Sequence, residues 1–227
     1  VLTLAAGAVR LTAVATDRDV DSDSKTVAVG DKFSFKDDGL TLAVTGNTGS
    51  ITVDESALIG GVGNPDPAIL AKMTNASFLN GVFKPTYGTD GQHAVNPLSY
   101  SLRVASAGVN SGLVDTATGQ AILLYKEGND VVGRVGNSSG AEAFRMSLTG
   151  DAMTLTQSRA VVHPTTGASH NEPVGLVNGA LFVRAVATDK DGDNVQTQVD
   201  VGSRFTFLDD GPAFISASPA PTVDEAD

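Results

Sequence analysis

Residues 185–193 read AVATDKDGD and residues 13–21 read AVATDRDVD, so the chain repeats itself at a shift of 172 positions. The shift holds without gaps as far as the Asp-Asp-Gly triplets at residues 37–39 and 209–211. After two deleted positions, residues 52–55 return as residues 222–225. Self-similarity at a fixed period indicates repeated structural units. The sequence therefore predicts that the chain is part of a tandem array of repeats.

The repeat predicts three segments within the 227 residues. Residues 1–39 are predicted to be the C-terminal part of a preceding repeat, residues 40–211 a complete repeat, and residues 212–227 a linker with the start of the next. Pro212, Pro219 and Pro221 favour a stiff linker, because proline fixes φ and removes a hydrogen-bond donor. Whether residues 1–39 pack onto the complete repeat is left open by the sequence.

The composition favours strands and turns. Thr, Val, Ser, Gly and Asp are abundant, with 25 glycines, and only 5% of residues are aromatic. Short apolar alternations are separated by Gly, Asn, Asp or Ser, as in a sandwich or barrel. We predict an all-β fold, a Greek-key or Ig-like β-sandwich with an added β-meander. Strands are predicted at residues 99–104, 121–125, 131–135, 143–148 and 153–156, and one short helix at residues 66–73, where an aspartate and a proline form a helix start.

Charge excludes several classes of partner. The formal net charge is −11 and the chain has no cysteine, so disulfides are excluded, and nucleic acid or an anionic membrane surface is disfavoured because both select basic patches. There is no run of about 18 apolar residues and no secretory leader, so we expect no membrane insertion. The acidic balance favours a cation as partner.

The strongest chemical signal is aspartate on alternate residues of two short loops. Carboxylates spaced in this way can converge on calcium, which takes 6 to 8 oxygen ligands, and a divalent cation removes their mutual repulsion. Position twelve of an EF-hand loop would be Asp200 in the second copy and Ala28 in the first, so an EF-hand is disfavoured. We predict a calcium-clamped β-turn, with an ordinary solvated turn as the alternative. The predicted ligands are Asp17, Asp19, Asp21 and Asp23 in one copy and Asp189, Asp191 and Asp193 in the other.

A second calcium site is predicted near the junctions between repeats. Its candidate ligands are the Asp-Asp pairs of the repeated triplets, with the Asp-Glu pairs that follow them. A sharp turn capped by aspartate explains the triplets almost as well. The residues are Asp37, Asp38, Asp209 and Asp210, with Asp54-Glu55 and Asp224-Glu225.

Catalytic signatures are lacking. The three histidines, His93, His163 and His170, lie in no G-x-S-x-G or H-E-x-x-H context. His163 stands between Val162 and Pro164, which predicts a structural role at the end of a strand. We therefore expect the chain not to be an enzyme.

Several motifs carry a family resemblance. Residues 188–193 (TDKDGD), 207–212 (FLDDGP) and 222–225 (TVDE), with residues 111–113, 131–134, 155–157 and 161–164, resemble the tandem extracellular repeats of giant RTX-type adhesins that bacteria export by type I secretion. The resemblance implies a secreted, cell-surface module that supports adhesion and biofilm formation, contacts neighbouring repeats and is rigidified by calcium. The first junction departs from the pattern, with Val20 in place of glycine and Leu40 in place of proline.

An alternative function is a ligand-binding module of the same kind of adhesin, which holds a carbohydrate or protein on a host or environmental surface. The chain has no Trp and three Tyr, Tyr87, Tyr100 and Tyr125. So few exposed aromatic candidates weigh against sugar stacking. Glycan or cell binding would separate the two functions.

Overall fold

The computed structural model describes residues 1–36, 39–55, 71–164 and 172–209. These residues form an all-β fold, as predicted, with short 3-10 turns at Gly30–Lys32 and Gly202–Arg204. Within these ranges no helix has the length and apolar character needed to cross a membrane.

The described residues contain strands in the following chain order. They are β1 (Leu2–Thr3), β2 (Arg10–Thr16), β3 (Ser22–Ala28), β4 (Ser34–Phe35), β5 (Thr41–Val44), β6 (Ile51–Asp54), β7 (Ala71–Asn75), β8 (Phe83–Thr86), β9 (Leu98–Val104), β10 (Val109–Val114), β11 (Ala121–Glu127), β12 (Asp130–Val135), β13 (Glu142–Thr149), β14 (Ala152–Gln157), β15 (Pro173–Gly175), β16 (Leu181–Thr188), β17 (Asn194–Asp200) and β18 (Phe205–Leu208).

One layer is a six-stranded antiparallel sheet in the order β10-β11-β12-β13-β14-β7. Five of its strands run consecutively, which is the predicted meander. Tight turns join them, and Gly128 and Gly150 have φ of 59° and 56° there, a left-handed conformation that favours glycine. The strands predicted for this region are confirmed.

A second layer contains two three-stranded sheets, β17-β16-β9 and β15-β18-β6. Strand β9 lies against β11, β12 and β13 of the first layer. Alternate residues of β16 point inward, and Leu181, Val183 and Ala185 are fully buried. A single core joins the layers, so the described part of the chain from residue 39 onward is a two-layer β structure.

Strands β6 and β18 pair in parallel, with Phe205 beside Ile51 and Leu208 beside Asp54. A strand near the start of the predicted complete repeat thus lies beside a strand near its end. Phe205 and Phe207 of β18 are fully buried in the core. This pairing places Glu55, which follows β6, near Asp209, which follows β18.

Residues 1–36 form separate two-stranded sheets, β1-β4 and β2-β3. The described hydrogen bonds of this segment stay within it. Most of its large apolar side chains are exposed to solvent: Leu11 is 62% exposed and Phe35 is 56% exposed. The segment contributes no residue to the core that the described residues from 39 to 209 form.

The prediction of a helix at residues 66–73 is wrong for residues 71–73, which the structure describes. Ala71, Lys72 and Met73 belong to strand β7, and Met73 pairs with Leu155 of β14. Pairing along the edge of the large sheet outweighs local helix propensity here, since propensity is a weak prior. Residues 66–70 lie outside the described part of the chain.

Candidate metal sites

The second acidic loop is the turn of the β16–β17 hairpin. The Asp189 backbone N–H donates to the Asp193 carbonyl at 3.0 Å, and the Gly192 N–H donates to Asp189 Oδ1 at 3.2 Å. Carboxylate oxygens of Asp189, Asp191 and Asp193 lie within 4.8 Å of one another. Asp189 is only 4% exposed, whereas Asp191 and Asp193 are exposed. The fold thus gathers the three predicted ligands at one point.

The first acidic loop has the same construction in the β2–β3 hairpin. The Asp17 N–H donates to the Asp21 carbonyl at 2.9 Å, and Asp17 Oδ1 accepts from the N–H groups of Asp19 and Asp21. Carboxylate oxygens of Asp17, Asp19 and Asp21 also lie within 4.8 Å of one another, and all three residues are exposed. Asp23 pairs with Ala15 and lines an open depression of about 370 Å³ with Asp17 and Asp21.

Carboxylates in both loops perturb one another. Hydrogen bonding with Asp191, together with burial, raises the pKa of Asp189. In the first loop, a hydrogen bond from Asp19 lowers the pKa of Asp17. Two carboxyl groups close enough to share a proton ionise together only with difficulty. A bound divalent cation would replace that proton.

The junction residues fall into two groups. Asp37, Asp38 and Asp210 lie outside the described residues, as do Asp224 and Glu225. Asp209 follows β18, and its carboxylate lies within 4.8 Å of ligand atoms of Glu55 and His163. The structure thus brings together Asp209 and Glu55, two of the candidate ligands of the second predicted site. His163, which was predicted to have a structural role at the end of a strand, is the third member of this group. No sequence motif around His163 indicated that it would lie beside Glu55 and Asp209.

Each hairpin loop offers a hard cation a compact set of oxygen donors. Three carboxylates converge in each loop, and oxygen donors of this kind suit calcium better than a soft or nitrogen-preferring metal. The described part of both loops contains no histidine. Water and backbone carbonyls would have to complete the 6 to 8 ligands that calcium takes.

A family model described as a domain of unknown function, DUF5801, matches residues 40–202. The match spans well over half of the chain. The chain belongs to the DUF5801 family. No curated protein and no solved structure matches it.

The DUF5801 match starts directly after the first Asp-Asp-Gly triplet and ends at Gly202. It includes the loop from Asp189 to Asp193 and leaves out the loop from Asp17 to Asp21. It also includes Glu55 and His163, while Asp209 lies seven residues beyond its end. The family model therefore covers one of the two hairpin loops.

Proposed function

We propose that this chain is a structural and adhesive repeat module of a secreted, cell-surface bacterial adhesin, and that calcium bound in its hairpin loops rigidifies it. One observation carries the proposal: two hairpins 172 positions apart build the same turn and gather three aspartates in each. A loop that served only as a solvated turn would not require the carboxylates to converge twice. The proposal assigns no catalytic activity to the chain.

Calcium would act on stability. Without a cation, Asp189 and Asp191 ionise together with difficulty, because hydrogen bonding with Asp191, burial and the Asp191 charge all raise the pKa of Asp189. Extracellular calcium modules bind with dissociation constants of about 10⁻⁴ to 10⁻³ M. Calcium at a hundred times its dissociation constant would add about 2.7 kcal/mol to the free energy of unfolding, which is a large share of a typical domain's stability.

Neighbouring repeats are the proposed partners of residues 1–36. Three apolar residues there are exposed although their equivalents in the second copy are buried: Leu11 is 62% exposed against 0% for Val183, Phe33 is 48% exposed against 0% for Phe205, and Phe35 is 56% exposed against 0% for Phe207. Burying each such side chain is worth about 1.5–3 kcal/mol.

The second copy also indicates how that contact is made. Strand β16, the equivalent of β2, pairs along its other edge with β9. We propose that β2 pairs in the same way with the β9 equivalent of a preceding repeat. The array would then be continuous, and the calcium loop at the tip of each hairpin would limit bending. Such an array holds a binding site away from the cell surface.

The test is thermal unfolding of the chain in EDTA, in calcium and in magnesium. We expect calcium alone to raise the melting temperature, and the triple variant Asp189→Asn, Asp191→Asn, Asp193→Asn to lose that rise. Asp31→Asn is the matched control, because Asp31 lies outside both acidic loops and its ion pair with Lys32 at 2.9 Å is exposed. Equal melting temperatures in calcium and in EDTA would refute the calcium part of the proposal.

A ligand-binding module remains the second candidate, and one surface favours it. Arg103 and Arg184 line an open depression of about 310 Å³ on the β9-β16-β17 sheet, with Gln196, Thr197 and Gln198. Arg184 Nε is buried and has no hydrogen-bond partner among the described residues. Arginine suits carboxylate and sulfate groups. An array of acidic glycans, probed with the chain and with Arg184→Ala, tests this candidate.

A further inference from the structure

The acidic side chains of Glu55 and Asp209 lie close together at the C-terminal end of the parallel β6–β18 pair. Leu208 pairs with Asp54, so one step further along the same register Asp209 lies beside Glu55. Buried Val53 and Phe207 precede them on the core-facing side of their strands, and side chains two residues apart share a face of a sheet. Glu55, at 3% exposure, is a buried residue of this inner face.

His163 completes a cluster with these two carboxylates. Its ring nitrogen and the oxygens of Glu55 and Asp209 lie within 4.8 Å of one another, and His163 Nε2 is 3.9 Å from Glu55 Oε1. The His163 side chain is only 3% exposed. Neither of its ring nitrogens has a hydrogen-bond partner among the described residues. Buried polar atoms are nearly always paired, and a buried unpaired one is costly, so the imidazole itself points to a ligand.

The surrounding residues hold the Glu55 carboxylate in a fixed orientation. Glu55 Oε1 accepts hydrogen bonds from Gln157 Nε2 at 2.5 Å and from the Val161 N–H at 3.0 Å. Gln157 is fully buried, and its Nε2 also donates to the Arg159 carbonyl at 3.0 Å. Hydrogen bonds of this kind orient the carboxylate ligands of metal sites.

We propose that Glu55, His163 and Asp209 bind one divalent transition-metal ion of the zinc class. Imidazole together with carboxylates suits zinc and its neighbours, whereas calcium takes oxygen ligands. Two carboxylates balance the charge of the ion, and the ion satisfies a ring nitrogen that has no hydrogen-bond partner within the described part of the chain. Ligand atoms around tetrahedral zinc lie about 3.4 Å apart, so separations of up to 4.8 Å would have to shorten by at most about 1.4 Å on binding.

This site has consequences for the fold that are separate from those of the calcium loops. It joins three segments that lie far apart in the sequence: the end of β6, the residues after β14 and the end of β18. All three belong to residues 39–209, so the ion would fasten a repeat internally and would not bridge two repeats. The proposal does not depend on calcium binding to the hairpin loops.

Titration of the metal-free chain with Co²⁺ tests the site, because Co²⁺ substitutes for zinc and absorbs visible light when it is tetrahedrally bound. We expect one equivalent to give a d–d absorption band that Zn²⁺ removes and excess calcium leaves in place. The absence of cysteine excludes thiolate ligands as its source. His163→Gln and Glu55→Gln should each weaken binding by about 100-fold or more, since loss even of an outer partner typically costs 10–100-fold.

His93→Gln is the matched control, because His93 Nδ1 lies 2.7 Å from the Val95 carbonyl and takes no part in the cluster. The triple asparagine variant of the second hairpin loop is a further control. Both should retain the band. If the wild-type chain gives no band, if His163→Gln keeps it, or if His93→Gln loses it, the assignment is overturned. Should the His163 and Glu55 variants fail to fold, NMR signals of the wild-type imidazole nitrogens decide, because only those of His163 should shift with Zn²⁺.

Discussion

Val20 and Gly192 occupy the same position of two hairpin turns and share a left-handed backbone, with φ of 76° and 100°. In each turn their N–H donates at 3.3 Å to the carbonyl of the first aspartate, Asp17 or Asp189. The turn geometry is therefore retained where valine replaces glycine. A β-branched residue at positive φ is strained, so the first loop keeps its shape at a cost in free energy.

Relief of that strain predicts the effect of Val20→Gly. Strain of this kind costs about 1–3 kcal/mol, and glycine removes it. Because residues 1–36 form a separate hairpin, the gain should appear as slower amide hydrogen exchange in β2 and β3, by about fivefold for 1 kcal/mol. The reciprocal change Gly192→Val should speed exchange in β16 and β17. Unchanged exchange in Val20→Gly would contradict this account.

The effect of Asp191→Asn should reverse sign with calcium. In EDTA at neutral pH the substitution removes a charge that opposes Asp189, so the melting temperature should rise. In calcium it removes a ligand, so affinity should fall by about tenfold or more and the calcium-dependent rise should shrink. Calorimetry with and without calcium measures both.

The raised pKa of Asp189 determines the pH range in which Asp191→Asn should raise the melting temperature in EDTA. A raised pKa of Asp189 means that this group contributes stability below its ordinary pKa of about 3.8. That contribution is lost as the pH rises through the raised value. The advantage of Asp191→Asn should therefore be present at neutral pH and absent below about pH 4. A gain of equal size at both pH values would show that carboxylate repulsion is not its source.

Arg159 supports the segment that carries His163. It donates to the buried Asp115 carboxylate through Nε at 2.7 Å and through Nη2 at 3.0 Å. Arg159→Ala leaves that carboxylate buried without an opposite charge, with hydrogen bonds from the Thr118 N–H and hydroxyl still in place, and we expect a loss of about 3 kcal/mol in the free energy of unfolding. Arg103→Ala, which removes an arginine from an exposed position, should cost far less. Urea denaturation of both variants measures the difference.

The Asp115–Arg159 pair also predicts a pH dependence. Hydrogen bonding with Arg159 lowers the pKa of Asp115. A lowered pKa means that the contribution of Asp115 is present above its ordinary pKa of about 3.8 and is lost as the pH falls through the lowered value. The stability difference between wild type and Arg159→Ala should therefore narrow in acid. A difference that stays constant down to the acid limit would contradict the ion-pair explanation.

Much of this fold follows from local sequence, and the cluster around His163 does not. Alternation predicted the meander strands, and the spacing of Asp189, Asp191 and Asp193 predicted a converging loop, because both depend on residues close in sequence. The cluster depends on the parallel register of β6 and β18 and on a hydrogen bond from Gln157 to Glu55 across 102 residues. No local pattern encodes such a register. Long-range pairing of the same kind, with β14, makes residues 71–73 a strand and not the predicted helix.

Removal of residues 1–38 tests whether the first hairpin is energetically separate from the rest of the chain. Since its described hydrogen bonds are internal and its apolar residues are exposed, we expect the melting temperature of the remaining chain in EDTA to stay unchanged. Calcium bound per chain should fall, because the loop at Asp17, Asp19 and Asp21 is lost. Binding of an apolar dye should also fall, because an exposed apolar surface is lost. A clear drop in melting temperature would show instead that residues 1–38 contribute to the stability of residues 39–209, and would remove the main reason for assigning the hairpin to a neighbouring repeat.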